Sequence, residues 1–150
     1  MANRYIRSTT TTAKLTAEYH RHRDEEVMHA LVSAGALVAL SDGQLKPVER
    51  DELVNFIDQQ EFVPTISRHE IAEGFDKYIR QLKGRHSANV IVETLRPLAG
   101  LSLASVVLRT AERVAAADRK IHLGELQALK LIRMVLMTLP AKRVGSSTTR

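Results

Sequence analysis

The sequence predicts an all-α protein, a single-domain bundle of six to seven helices made of two similar halves. Its 150 residues are about the length of one domain. Apolar residues recur in steps of three and four, as on one face of a helix, and no segment alternates like a paired strand. A unit of helix, acidic corner and helix also occurs twice, and a repeat of this kind defines the architecture.

The two copies of this unit align at an offset of seventy-six residues. The aligned pairs are Ala39 with Ala115, Asp42 with Asp118, Leu45 with Ile121, Glu49 with Glu125 and Leu53 with Leu129. We call residues 41–49 the first corner and residues 117–125 the second corner. Because each copy spans two helices and the corner between them, we expect the bundle to consist of two similar halves.

Residues 1–16 are predicted to be a flexible, basic, Thr-rich arm, residues 17–140 the helical domain and residues 141–150 a flexible basic tail. The first helix is expected from Glu18 to the first corner, where Gly43 ends it by adopting the left-handed conformation. Pro47 suits the first position of the next helix and Glu49 its third. We expect Val48 to lie on the buried face of that helix, together with Leu53, Phe56 and Ile57.

Ser67 followed by Glu70 has the spacing of a capping box and predicts the start of another helix. Residues 88–95 form an apolar, β-branched run that resembles a strand, but we predict a helix because the chain offers no partner strand. Residues 101–117 are predicted to be a long helix before the second corner. Residues 124–139 complete the bundle as its last helix.

Composition excludes several classes of protein. The absence of Cys rules out disulfides, thiolate metal sites and thiol catalysis. No run of 18 apolar residues predicts a transmembrane segment, and the N-terminus lacks the apolar core of a signal peptide, so we expect a cytoplasmic protein. No phosphate-binding loop or nucleophile with a paired base is present, and we expect no enzymatic activity.

The net charge of +5 is carried by the ends of the chain, with +4 in residues 1–23, +3 in residues 141–150 and −2 between them. A basic face on a folded element, which specific nucleic-acid binding would require, is not evident. Weak, salt-dependent contact of the two ends with a polyanion is the alternative.

The corners are the candidate site because each places carboxylates where a helix ends and the next begins. An Asp at the C-terminal end of a helix faces the negative pole of the helix dipole, so Asp42 and Asp118 need a compensating cation, basic side chain or amide. If the corners converge, Glu49 and Glu125 complete a set of four carboxylates suited to Ca²⁺ or Mg²⁺. The alternative is structural: each Asp accepts hydrogen bonds from loop amides, and each Glu from the amide before its helix.

The pattern A-x-[SA]-D-G-x-[IL]-x-P-x-E at residues 39–49, with the second copy A-A-A-D-x-x-I-x-x-x-E at residues 115–125, resembles the TerB-like tellurite-resistance family. The resemblance covers roughly residues 25–139. It implies a bundle of seven helices with pseudo-twofold halves. It also implies an acidic surface proposed to bind divalent metal and a role in stress response or tellurite resistance. The acidic positions carried over are Asp42, Glu49, Asp118 and Glu125. Arg119 departs from the usual Gly, and Gly124 stands inside the start of the last helix.

The sequence therefore predicts a non-enzymatic, TerB-like module with an acidic surface for a divalent metal and a protein partner. The alternative is a protein-interaction scaffold whose acidic corners are purely structural. Arg119 and Lys120 oppose a cation in the second corner and favour the structural alternative there. A separate set, His22, Glu26 and His29, shares one helix face and suits Zn²⁺, although ordinary surface polarity explains it equally well. The sequence does not define the oligomeric state.

Overall fold

The computed structural model of the chain describes residues 12–20, 24–41, 43, 45–60, 66–84 and 87–137. These residues form seven α-helices and no strand, which confirms the all-α prediction. The helices are α1 (12–20), α2 (Asp24–Leu40), α3 (Pro47–Asp58), α4 (Arg68–Leu82), α5 (Ser87–Leu95), α6 (Ser102–Ala115) and α7 (Leu123–Met137). A 3₁₀ turn, Arg96–Leu98, follows α5.

Helix α2 is the centre of the bundle and packs against α3, α4, α5, α6 and α7. It can do so because its residues from Val27 to Ala39 are almost all small or apolar, and a helix that is apolar all round is buried. Gly35 marks its closest approach to a neighbour, since a Cβ there would lie 2.5 Å from Cδ1 of Leu53. The four helices α2, α3, α6 and α7 contain the two repeated units.

The helix starts follow the local signals. The Glu70 amide donates to the Ser67 hydroxyl over 3.1 Å and the Ser67 amide donates to Glu70 over 2.9 Å, which confirms the predicted capping box. Pro47 is the first residue of α3, as expected. Residues 88–95 lie within α5, so the helical prediction is confirmed over the strand.

Three expectations differ from the structure. The helix expected from Glu18 to the first corner is two helices: residues 18–20 belong to α1, and α2 begins at Asp24. Helix α1 includes residues 12–16, which the sequence assigned to the arm, and the Thr16 hydroxyl donates to the carbonyl of Thr12 within this helix. The prediction that Val48 is buried is wrong, because its side chain is 44% exposed whereas Leu53 and Ile57 are fully buried. The rest of the arm and the predicted tail lie outside the described residues.

Among the described helices, none has both the length and the apolar composition that crossing a bilayer requires.

Candidate functional site: the paired corners

The two corners have the same backbone conformation at equivalent positions. Gly43 has φ of 84° and its counterpart Arg119 has φ of 69°, both in the left-handed region. The amide of Gly43 donates to the carbonyl of Leu40, and the amide of Arg119 donates to that of Ala116, each over 3.0 Å. The repeat read from the sequence is therefore also a repeat of backbone geometry and hydrogen bonds.

Both corner glutamates accept hydrogen bonds from their own helix start. Glu49 Oε1 accepts from the amide of Lys46 over 3.3 Å, and Glu125 Oε1 accepts from the amide of His122 over 2.8 Å. Both side chains are fully buried, at 0% exposure. Each carboxylate also lies at the positive end of its helix, where negative charge is stabilised. These contacts are the ones that the structural alternative requires.

The two corners contact each other. Lys46 of the first corner donates through Nζ to Oδ2 of Asp118 in the second, which lies 72 residues further along the chain. Gly124 packs directly against Ser41: a Cβ at position 124 would overlap the carbonyl oxygen of Ser41 and lie 3.0 Å from its carbonyl carbon. The contact between the corners thus explains the glycine at position 124. We call the two corners together the paired corners.

Asp118 is compensated by groups of the protein itself. Its carboxylate accepts from Lys46 Nζ and from the amide of Lys120 over 3.1 Å, and the Nε2 atom of His122 lies 3.6 Å away. The hydrogen bond from Lys46, followed by that from the Lys120 amide, lowers the pKa of Asp118 from 3.8 to about 2. Of the three means of compensation considered from the sequence, the structure thus supplies a basic side chain and an amide.

Asp42, the fourth predicted site residue, lies outside the described residues. Within the described part of the chain, no three His, Asp or Glu side chains are grouped to hold a metal ion. Glu125 nevertheless keeps one buried oxygen, Oε2, that has no hydrogen-bond partner among the described residues. The four-carboxylate metal site therefore stays a prediction.

The second metal hypothesis involved His22, which also lies outside the described residues, together with Glu26 and His29. The Nδ1 atom of His29 lies 3.0 Å from the hydroxyl oxygen of Tyr78. Together with Glu26, these two side chains line an open cleft of about 230 Å³. Burial, assisted by Lys77, lowers the pKa of His29, so its neutral form is favoured.

The paired corners also have an exposed apolar surface that was not predicted from the sequence. Leu123 is 72% exposed, and four further large apolar side chains at or next to the corners are 44–52% exposed. We call the five together the corner apolar surface: Leu45, Val48, Ile121, Leu123 and Leu126. Only two other large apolar side chains are comparably exposed in the described ranges, Met134 and Met137 near the end of α7. The available signal was Leu45 and Ile121, apolar residues at equivalent positions of otherwise polar turns.

Two exposed cations, Arg119 and Lys120, stand beside this surface in the second corner. Within the described residues, neither side chain forms an ion pair or a hydrogen bond. By contrast, Arg50 pairs with Asp76 over 2.9 Å, and Arg113 pairs with Glu52 over 3.2 Å. The paired corners therefore expose apolar and positively charged groups. Their described carboxylates accept hydrogen bonds from the corners themselves.

Fold and site together define an all-α protein of two helix–corner–helix halves joined through their corners. No family model, no curated protein and no solved structure matches this chain in the comparisons with known proteins. The resemblance to the TerB-like family therefore rests on the sequence pattern alone and stays a prediction.

Proposed function

We propose that the protein is a non-enzymatic binding module that holds a protein partner on its paired corners. The observation that carries this proposal is the corner apolar surface, in which five large aliphatic side chains are exposed on two adjoining turns. Single exposed apolar residues are ordinary, but a group of them in one place marks an interaction site.

The internal contacts of the corners support this function. Hydrogen bonds from Lys46 and His122 amides to buried glutamates fix each helix start, and the Lys46–Asp118 pair joins the two turns. A surface fixed in this way loses little conformational freedom when a partner binds, and the entropic cost of association is correspondingly lower. The carboxylates thus support the binding surface and are not themselves the binding groups.

A library of displayed random peptides, selected for binding to the full chain, tests this proposal. We expect selected peptides to lose binding to the Leu123→Asp variant, because a carboxylate then replaces the most exposed apolar side chain of the surface. Asp at the first position of a helix is well tolerated, so α7 should stay folded. Met134→Asp is the matched control, since Met134 is also exposed on α7 but lies outside the paired corners.

Circular dichroism of both variants shows whether they are folded like the parent chain. Selection of peptides that bind Leu123→Asp and the parent equally well would contradict the proposal. So would a selection that yields no binding peptide.

A second candidate function is the divalent-metal module that the TerB-like resemblance implies, within a stress-response or tellurite-resistance system. One observation favours it: Glu125 Oε2 is buried without a hydrogen-bond partner among the described residues, and such an oxygen is a suitable ligand for Ca²⁺ or Mg²⁺. In this function, Asp42, Glu49 and Asp118 would supply the remaining carboxylates, and Asp118 would have to exchange its lysine partner for the ion.

Titration with Ca²⁺ and Mg²⁺, followed by amide NMR, tests the second candidate. Metal binding should shift amides in residues 41–49 and 118–125, and the Glu125→Gln variant should lose the shift. Glutamine keeps an oxygen that can accept from the His122 amide, so the variant preserves the helix start. If no amide of the paired corners moves at millimolar metal, the metal function is wrong.

A further inference from the structure

We propose that the partner of the paired corners is an acidic amphipathic segment, with apolar side chains on one face and carboxylates beside them. This inference rests on the proposed function, that the paired corners bind protein. It adds the chemistry of the partner, which the apolar surface alone does not specify.

Two basic residues beside the surface have no ion-pair partner among the described residues, which favours an acidic partner. Arg119 and Lys120 are exposed and have no ion-pair partner within the described part of the chain. Arg50 on α3 and Arg113 on α6 are already paired, with Asp76 and Glu52 respectively. The second corner therefore offers two available positive charges next to the apolar surface. A partner with carboxylates at that edge would meet complementary charge.

The two cations also lie next to exposed apolar residues in the chain. Arg119 and Lys120 immediately precede Ile121, and Leu123 follows two residues later, so apolar and basic side chains share one turn. Both apolar residues are more than half exposed, at 52% and 72%. A partner helix that covers these two residues would pass close to the two cations. Helices recognised in this way present apolar residues at steps of three and four, with polar residues on the flanks.

Three other occupants fit the surface less well. A twofold dimer through the paired corners would bring Arg119 and Lys120 of both copies towards one axis, where like charges repel. A nucleic-acid backbone is bound by neutralising many phosphates, and two cations are too few for that. The rest of the surface is apolar and offers the phosphates no contact. An anionic membrane would suit the mixture of apolar and basic groups, but the surface has no aromatic anchor and only two cations.

Three synthetic amphipathic peptides of about 16 residues test the inference. They carry the same leucines at helical spacing, and their flanking positions hold Glu, Gln or Lys. Binding to the full chain is measured by fluorescence anisotropy at low and high salt. We expect the Glu peptide to bind about tenfold more tightly than the Gln peptide and the Lys peptide to bind most weakly, with the difference shrinking at high salt.

The double variant Arg119→Gln with Lys120→Gln should remove the preference for the Glu peptide, so that the Glu and Gln peptides bind this variant equally. Lys130→Gln is the matched control, because Lys130 is an exposed cation on α7 outside the paired corners, and this variant should keep the preference. Circular dichroism confirms that each variant has the helix content of the parent.

The outcomes separate this inference from the proposed function. Equal binding of the Glu and Gln peptides, both lost in Leu123→Asp, overturns the acidic partner and leaves the protein-binding surface intact. Failure of all three peptides, when library peptides do bind, also overturns the acidic partner. Binding to phosphatidylserine vesicles that depends on Arg119 and Lys120, without binding of any peptide, assigns the surface to a membrane. A dimer that Leu123→Asp dissociates assigns it to a second copy of the chain.

Discussion

The first and second corners share a left-handed residue and its hydrogen bond at equivalent positions, but their local sequences differ. They differ at seven of their nine equivalent positions, and four of these matter for the turn and the helix start: Gly43 and Arg119, Lys46 and His122, Pro47 and Leu123, Val48 and Gly124. In the first corner, glycine occupies the left-handed position and proline begins the helix, so local sequence favours the turn. In the second corner neither signal is present.

Contact with the first corner compensates for what the second corner lacks. Gly124 fits against the Ser41 carbonyl, and Asp118 receives the Lys46 ammonium. A turn without its own local signals can thus be stabilised by contact with a neighbouring turn. This contact also leaves the side chains of Arg119 and Leu123 exposed and available for binding.

The largest expected effect comes from breaking the contact between the corners. Gly124→Ala places a methyl group on the Ser41 carbonyl oxygen, which cannot move without displacing the end of α2. Overpacking against backbone should lower the free energy of unfolding by about 3 kcal/mol. The equivalent substitution in the first corner, Val48→Ala, removes an exposed side chain and should cost less than about 0.5 kcal/mol. Urea denaturation measures both, and equal effects would show that the corners do not pack as described.

Substitutions at the left-handed position should change the free energy of unfolding in opposite directions. Replacing Gly43 should lower it, and replacing Arg119 by glycine should raise it. At Gly43 nothing lies within 4 Å of an added Cβ, so Gly43→Ala tests the backbone alone and should cost about 1 kcal/mol. Arg119→Gly relieves the same conformational cost. Because glycine also adds conformational freedom to the unfolded state, the net stabilisation should be smaller, about 0.5 kcal/mol. Thermal or urea unfolding measures the two changes, and destabilisation by Arg119→Gly would contradict this explanation.

The smallest effect concerns the ion pair between the corners and is best followed through Asp118. Because Lys46 lowers the pKa of Asp118 to about 2 in the folded state, below the unfolded value of 3.8, its stabilising contribution is complete above 3.8. That contribution is lost as the pH falls through about 2. Carboxyl NMR should give a midpoint near 2 for Asp118, and Lys46→Met should raise the pKa towards 3.8. In the control variant Lys130→Met, the midpoint should not change.

Local rules were sufficient to predict the parts of the fold that depend on neighbouring residues. The Ser67 capping box and the start of α3 at Pro47 follow from residues within one helical turn. The equivalence of the corners was also predictable, because a repeat is visible in one sequence. Glu49 was predicted to bond back to the amide before its helix as one of two alternatives, and the structure contains that bond.

Contacts between distant segments could not be predicted in this way. The buried Glu18 accepts from the amides of Ser102 and Leu103 over 3.0 and 2.8 Å, so a residue of α1 satisfies the start of α6 more than eighty residues away. The exposure of Val48 follows from how α3 lies in the bundle, which its own periodicity does not specify. The pairing of Lys46 with Asp118 likewise requires the corners to meet in space.

Because the two corners contact each other, we expect the paired corners to open as one cooperative unit. Native-state hydrogen exchange measures this directly. The amides of Gly43, Lys46, Arg119 and His122 are hydrogen-bonded at equivalent positions of the two turns. We expect all four to exchange with the same opening free energy and the same dependence on denaturant. Exchange of Arg119 and His122 through a separate opening of lower free energy, with Gly43 and Lys46 still protected, would contradict this expectation.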